Sequence, residues 1–333
     1  MPNKPFAEMP NNADARLLLL DKHQVEALLQ PDEVMQAVRE AFMLHSAREG
    51  RVFPVVREAL PTGGVFGIKA GDVPGQGLLG FKTAGFWPAN RTSGGEPHQA
   101  TILLIDPLTG RPQCVIDGNA VTTLRTGAAG GLGLQLLARP DSRRLCIFGT
   151  GVQAHIQLDF ALRLLPSLVD VRYLTSTGEM NPAFESAFAA RCNIGHTREA
   201  DEAVSVSDIV ITATPGKGPL FARSAVQPGT HLTCVGADTR GKRELPEGLL
   251  AAARLFVDDR AQAQQIGELQ WAPDIACTEL GDLLGRPAGI KRQPDDITVF
   301  DMTGLALQDL TVARLLQQQA LALGVGTSLA WPW

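Results

Sequence analysis

The stretch Leu145-Cys146-Ile147-Phe148-Gly149-Thr150-Gly151-Val152-Gln153-Ala154 constrains the fold more than any other part of the chain. Its apolar run reads as a buried parallel strand. Gly149 suits the tight turn, Gly151 leaves room for the backbone to approach a pyrophosphate, and Ala154 holds the small third position of G-x-G-x-x-G/A. A helix is predicted from about Val152 to Leu165, with its N–H groups and positive dipole end turned toward phosphates. The motif by itself is weak, and a strand–glycine–helix turn that binds nothing is the competing reading.

The context favours the nucleotide reading. Val171–Leu174 follows as a second strand, as a βαβ unit requires. Asp208–Pro215, His231–Asp238, Ala253–Asp258 and Ile297–Asp301 are further strand-like runs. Strands alternating with helical segments predict an α/β fold, a doubly wound parallel Rossmann-type sheet whose ligand lies at the carboxyl ends of the strands. Thr214, Asp238 and Asp301 stand at such ends.

With 333 residues and 44% hydrophobic content, the chain can bury large cores and is expected to form two domains. A net charge of −5 argues against a nucleic-acid partner. The cysteines at 114, 146, 192, 234 and 277 lack C-x-x-C spacing and mostly fall in apolar runs, so they read as buried thiols of a reducing compartment. Neither cysteines nor histidines show metal-ligand spacing, and no metal is expected. No apolar stretch approaches the about 20 residues of a membrane span, and the polar start lacks a signal pattern. The expectation is a cytoplasmic protein without a membrane partner.

Residues 1–16 read as a disordered tail. Pro31-Asp32-Glu33 opens a helix with apolar positions at Val34, Val38, Ala41 and Phe42, and Gly50 can end it. From Arg51 to Ile105 short runs broken by Gly, Pro and Asn predict a small sheet, with strands at Val65–Lys69, Leu78–Thr83 and Ala100–Asp106. Asp106–Gly110 is a turn and Cys114–Ile116 the return strand. A long helix from about Asn119 to Ala138 contains Gly127, Gly130, Gly131 and Gly133. Each costs up to ~1 kcal/mol of helix propensity, so close packing or ligand approach must compensate. Leu307–Leu323 is an amphipathic helix expected to return to the first domain.

Several motifs together resemble the ornithine cyclodeaminase/μ-crystallin family: Phe53–Arg57, Lys82–Asn90, Asp117–Ala129, Gly149–Ala154, Gly236–Leu245 and Phe300–Asp309. The resemblance implies a homodimer with a smaller α+β substrate-binding and dimerisation domain built from both chain ends, residues 17–124 with 305–333. It places an NAD(P)-binding Rossmann domain at 125–304. The shared chemistry of this family is hydride transfer between a nicotinamide and the α-carbon of a small amino or imino acid.

Residue by residue, the resemblance assigns Arg57 and Arg125 to the substrate carboxylate, which a guanidinium grips through two parallel hydrogen bonds. Lys82 matches the catalytic lysine; flanked by Phe81, Phe86 and Trp87, it is expected to be partly desolvated and so a better proton donor. Asp238 matches the acid near the reacting nitrogen. The nucleotide-facing positions are Thr126, Gly149, Thr150, Gly151, Val152, Gln153, Ala154, Ser176, Thr177, Thr212, Ala213, Thr214, Val235, Gly236, Asp238, Thr303 and Gly304.

Where ornithine cyclodeaminases carry Glu-x-Met-Pro, this chain reads Gly67-Ile68-Lys69-Ala70. Losing an acid and gaining a cation disfavours a diamine and favours a second carboxylate or a neutral side chain. Lys69 and His98 are the candidates to read that distal group. The blocks at 53–59, 82–90 and 237–245 most resemble the family's iminosuccinate reductases. An NAD(P)H-dependent reductase of an iminosuccinate- or ketimine-like acid is therefore the leading reading. A cyclodeaminase that recycles its NAD, and a crystallin-type ligand-binding protein, are the alternatives. The second strand ends in Leu174-Thr175-Ser176-Thr177 without an acid for a ribose 2′-OH, which leans toward NADP(H) or use of both cofactors.

Overall fold

A computed structural model describes residues 15–285 and 291–331. Met1–Asp14, which hold most of the expected tail, lie outside the described residues; Arg16, assigned to that tail, already pairs in a strand. The chain divides into two units. Met1–Gln30, Arg51–Thr122 and Asp309–Trp333 form unit 1, and Pro31–Gly50 with Thr123–Gln308 form unit 2.

Unit 1 is an eight-stranded sheet. Its strands are β1 (Arg16–Leu20), β2 (Arg51–Val52), β3 (Val56–Ala59), β4 (Val65–Val73), β5 (Leu78–Phe86), β6 (His98–Ile105), β7 (Pro112–Asp117) and β16 (Thr327–Ala330). The order is β16-β1-β7-β6-β5-β4-β2, with β3 also on β4. The expected small sheet is present but larger, because β1 and β16 from the two chain ends join it. Leu17–Leu20 neither alternates nor exceeds strand length, so its pattern was silent on type. Asp106 builds the β6–β7 turn by accepting the Leu108 N–H at 2.8 Å and the Thr109 hydroxyl at 2.9 Å. Asp21 and Gln24 close a reciprocal cap on α1 (Lys22–Leu28).

Side chains alternate across this sheet, and one face holds the core: Leu18, Leu20, Leu78, Ile102, Leu104, Cys114 and Ile116 are buried. The opposite face presents a row of directly paired residues, Leu19, Val115, Leu103, Phe81 and Ala70, each half-buried. Helices α3 (Gly118–Leu137) and α9 (Ala306–Leu323) each contribute residues to both units.

Unit 2 is an eight-stranded, all-parallel sheet. It contains β8 (Arg144–Phe148), β9 (Asp170–Leu174), β10 (Asn193–His196), β11 (Ile209–Thr212), β12 (His231–Cys234), β13 (Arg254–Val257), β14 (Cys277–Glu279) and β15 (Thr298–Asp301). The order β10-β9-β8-β11-β12-β15-β13-β14 reverses direction between β8 and β11, the switch point of a doubly wound fold. Leu145, Ile147, Val171, Ile209 and Ile211 pack on one face, and Cys146, Phe148, Val210, Leu232 and Val299 on the other. Helices α4 (Val152–Leu164), α5 (Pro182–Phe188), α6 (Ala200–Ser205), α7 (Arg260–Ile266) and α8 (Leu280–Leu284) complete the unit.

One early segment joins unit 2 rather than the substrate domain in which it was expected: α2 (Pro31–Ser46). Its apolar side supplies Phe42, whose ring lies 6.3 Å from that of Phe300, and its chain passes directly against Gly281. Its end is pinned by His45, 2.8 Å from Asp259, and by Arg48, 3.0 Å from Glu279. No helix among the described residues is long and apolar enough to cross a membrane.

The α3 glycines are explained by packing. A Cβ at Gly127 would meet Ile156 and Phe160, one at Gly131 would meet Leu164, and one at Gly133 would lie 2.5 Å from the Phe300 ring. Because that ring is fully buried, Gly133→Ala is expected to cost about 1–3 kcal/mol of overpacking. This exceeds the ~1 kcal/mol gained in helix propensity. A thermal midpoint lowered by about 2–4 °C per kcal/mol is the expected readout.

Candidate active site

Four expected substrate-side residues fall on one face of the unit 1 sheet. Lys69 and Lys82 are directly paired across β4 and β5, Arg57 pairs with Gly67 across β3 and β4, and His98 pairs with Phe86 across β5 and β6. In an antiparallel pair opposite residues share a face, and alternation along β4 and β5 puts all four on the same side. Arg57 is exposed, Lys69 and His98 are half-buried, and Lys82 is only 3% exposed.

Lys82 donates to the Asp309 carboxylate at 2.8 Å and to the Thr122 hydroxyl at 3.2 Å. Asp309 is fully buried. The expected desolvation of Lys82 is therefore present, but the Asp309 charge acts on the ammonium in the opposite direction. Neither Asp309 nor Thr122 was among the candidate residues, although both fall inside the motifs Phe300–Asp309 and Asp117–Ala129. His98 Nδ1 lies 3.2 Å from Asn119 Oδ1.

In unit 2 the glycine turn joins β8 to α4. Gly149 has φ +103°, and a Cβ there would lie 2.6 Å from the Ala213 carbonyl. Gly151 caps α4 without a side-chain hydrogen bond, and a Cβ there would meet nothing within 4 Å. The packing of the fold thus leaves Gly151 free to vary; the open space and uncapped N–H groups fit an approaching phosphate. Gln153 Oε1 is a buried acceptor without a partner among the described residues. Ala154 is fully buried, as close strand–helix packing requires. These features fit a dinucleotide. Thr150 is bonded by the Asn181 amide at 3.0 Å, which ties the turn to the loop carrying Ser176 and Thr177.

Other nucleotide-side candidates are already engaged. Glu244, fully buried, accepts from the Thr212 hydroxyl at 2.7 Å, the Thr214 hydroxyl and N–H at 2.6 and 2.8 Å, and the Gly236 N–H at 2.9 Å. Thr212, Ala213, Thr214, Val235 and Gly236 therefore offer shape at the strand ends more than polar contacts. Thr303 and Gly304 donate to Asp258, and the Thr126 carbonyl accepts from Gln157 at 2.8 Å. Asp301, singled out for its place at a strand end, is fully buried and accepts from the Leu269 N–H at 3.0 Å; it is structural.

Arg125 is buried and donates to Gln308 Oε1 at 3.0 Å. Asp238 lies in the loop beyond β12, partly exposed, with Lys242 at 2.6 Å. His45, Asp259 and Glu279 bring metal-ligand atoms within 4.8 Å of one another, a grouping that their sequence spacing does not reveal. Arg48 on Glu279 makes this an ion network around the end of α2.

An uncapped glycine turn on a doubly wound sheet, in a chain whose other unit carries a basic sheet face, is the layout of a dinucleotide-dependent enzyme. Residues 16–323 match the ornithine cyclodeaminase/mu-crystallin family, and the chain belongs to it. Alanine dehydrogenase of Archaeoglobus fulgidus is 33% identical over 320 residues, spanning 94% of this chain and 98% of that protein. Iminosuccinate reductase of Paracoccus denitrificans is 31% identical over 326 residues, spanning 93% and 98%. Ketimine reductase mu-crystallin of Mus musculus is 30% identical over 305 residues, spanning 89% and 95%.

Among solved structures, an archaeal alanine dehydrogenase dimer with bound NAD superposes with TM-score 0.86 at 33% identity, covering 95% of this chain and 99% of that one. The Paracoccus denitrificans iminosuccinate reductase in complex with NAD+ does so with TM-score 0.86 at 32% identity and the same coverage. By their names these relatives are a dehydrogenase and two reductases.

Beneath the strand ends, burial pushes the Glu268 carboxyl up to about 8 and Asp301 up to about 7, and neighbouring carboxylates add to both. A carboxyl with a raised folded-state pKa lends stability that is complete below its ordinary range and is lost as pH rises through the raised value. Thermal stability is therefore expected to fall between about pH 5 and pH 8. Glu268→Gln keeps an acceptor for the Glu244 N–H, bonded at 2.6 Å, and should flatten that decline. An unchanged pH slope in the variant would contradict the assignment.

Proposed function

We propose that this protein is an NAD(P)H-dependent reductase that converts a small imino acid, iminosuccinate- or ketimine-like, to the L-amino acid by hydride transfer to the α-carbon. The observation that carries the reading is the basic face of β3 to β6, with Arg57, Lys69, Lys82 and His98 on one side of one sheet. The cofactor, when bound, supplies the hydride. Arg57 and Arg125 hold the α-carboxylate. Lys82 gives a proton to the imine nitrogen, and the Asp309 carboxylate, 2.8 Å away, steadies the ammonium beforehand and holds its position afterwards. Asp238 orients the iminium or relays a proton, with Lys242 beside it. Lys69 or His98 reads the distal group.

Gly67 and Lys69 speak against the cyclodeaminase alternative. Gly67 faces Ala84 and Arg57 across its two neighbouring strands and Lys69 faces Lys82, so the position offers a diamine a second cation where an anion is needed. The crystallin-type binding role leaves the buried Lys82–Asp309 pair without a task. The alanine dehydrogenase relative runs the same bond chemistry by name, so pH and ammonia supply would govern direction. The hydroxyl-rich loop after β9, Thr175 to Thr177, supports NADP(H) or use of both cofactors, and cysteines free among the described residues support a cytoplasmic location.

We also propose a homodimer closed over the half-buried row Leu19, Val115, Leu103, Phe81 and Ala70. Contiguous apolar sheet surface of this kind is costly to leave in water. Light scattering is expected to give a dimer for the native chain and a monomer for Leu103→Glu.

Activity with oxaloacetate plus ammonia is the functional test. Lys69→Met is expected to raise KM for that dicarboxylic pair by roughly tenfold, the loss of one charge-assisted contact, while pyruvate plus ammonia changes little. An unchanged KM would remove Lys69 from substrate reading. Lys82→Met is expected to lower kcat by about a hundredfold or more with cofactor binding retained.

A further inference from the structure

We infer that Arg198 reads the adenosine 2′-phosphate and is the residue that lets this enzyme use NADP(H). The inference rests on the proposed dinucleotide reading of the β8–α4–β9 unit. In a doubly wound domain the adenosine ribose lies beyond the end of the second strand, where an acid selects a free 2′-OH and an arginine accommodates a 2′-phosphate. That strand is β9, and its end holds Thr175, Ser176 and Thr177 with no acid. Nor does an arginine follow in sequence until residue 191, on a different segment.

The fold supplies one from the next strand. β10 runs parallel to β9 with His196 opposite Tyr173, and the Thr197 N–H donates to the Tyr173 carbonyl at 3.1 Å. Arg198 therefore leaves its strand level with the start of the β9 loop. Its Nε donates to the Gly178 carbonyl at 2.6 Å, and Gly178 turns the loop with φ +68°. A Cβ on Gly178 would lie 3.4 Å from the same Nε, so the guanidinium rests on this loop.

The Nε bond fixes the plane of the fork and leaves the terminal nitrogens, which take part in no hydrogen bond among the described residues. Arg198 is exposed and forms no ion pair with a carboxylate among the described residues. Two terminal N–H pairs in a fixed plane suit a phosphate.

The loop itself is ordered for this role. Thr175 donates to the Glu179 carbonyl at 2.8 Å, the Glu179 N–H donates to Thr177 at 3.3 Å, and Asn181 ties the segment to Thr150 in the phosphate turn. Ser176 is exposed beside it and adds a hydroxyl. The acids of this region are Glu179, further along the loop, and Glu199, after Arg198; both are exposed.

The test is equilibrium binding by calorimetry of adenosine 2′,5′-bisphosphate, 5′-AMP, NADPH and NADH to the full-length protein, with Arg198→Ala and Arg198→Lys. The native chain is expected to bind adenosine 2′,5′-bisphosphate more tightly than 5′-AMP. Arg198→Ala is expected to weaken the 2′-phosphorylated ligands roughly ten- to a hundredfold and to leave 5′-AMP and NADH within about twofold. Arg198→Lys should fall between, since it keeps charge and loses the fork.

Equal losses for both classes of ligand, or no loss for either, would overturn the inference while leaving the dinucleotide reading intact. Preference of the native chain for 5′-AMP over the bisphosphate would overturn it as well. Failure of all four ligands to bind the native chain would instead overturn the dinucleotide reading, and this inference with it.

Discussion

A lysine ammonium buried to 3% exposure must be balanced where it lies, and much of unit 1 follows from that requirement. An unpaired buried charge costs several kcal/mol, so Lys82 needs a carboxylate with good geometry. That carboxylate is Asp309, 227 residues further along the chain. The final helix must therefore return to the sheet that the first third of the chain builds, and β16 then pairs with β1. Gly80 belongs to the same arrangement: a Cβ there would lie 2.9 Å from Leu310, so its absence lets α9 settle on β5. The burial of Lys82 and the use of both chain ends in one unit have a single physical cause.

Unit 2 solves a related problem with carboxylates alone. Its strands end in small and hydroxyl residues, which leave donors that water would otherwise have to satisfy. Glu244 gathers four of them, Glu268 accepts the Glu244 and Leu245 N–H groups, and Asp301 accepts at Leu269. Gln270 and the Trp271 indole donate to the Lys242 carbonyl, at 3.2 and 2.8 Å, and so hold the loop that bears Asp238. The rigid rim around the strand ends is thus made by residues that need not touch a ligand, while the glycine turn is left uncapped.

The doubly wound sheet was readable because its strands are apolar runs with glycine or hydroxyl punctuation; β8, β9, β13 and β15 fall within a residue of their expected bounds, while β11 and β12 begin within a residue of their expected starts and end three and four residues early, at Thr212 and Cys234. β10 and β14 were not, since Asn193–His196 and Cys277–Glu279 are short and partly polar. The basic face was readable only through family resemblance, because Arg57, Lys69, Lys82 and His98 come together by strand register, which no local pattern encodes. Asp309, Gln308 and Glu244 lie inside the motifs Phe300–Asp309 and Gly236–Leu245 but were given no role, because each is paired with a residue far away in sequence. Asp301 shows the converse, a strand-end acid whose position suggested a site and whose burial makes it structural. Arg198 is adjacent to the β9 loop only because β10 lies beside β9.

The central claim is that this chain delivers hydride to the α-carbon of an imino acid. It is tested most directly with reduced cofactor carrying deuterium at the nicotinamide C4, incubated with the enzyme, ammonia and a keto acid such as oxaloacetate, followed by mass and NMR analysis of the amino acid formed. The account predicts an L-amino acid with one deuterium at Cα and one cofactor oxidised for each molecule formed. Product without deuterium at Cα, or ammonia released from ornithine with no net oxidation of cofactor, would contradict it.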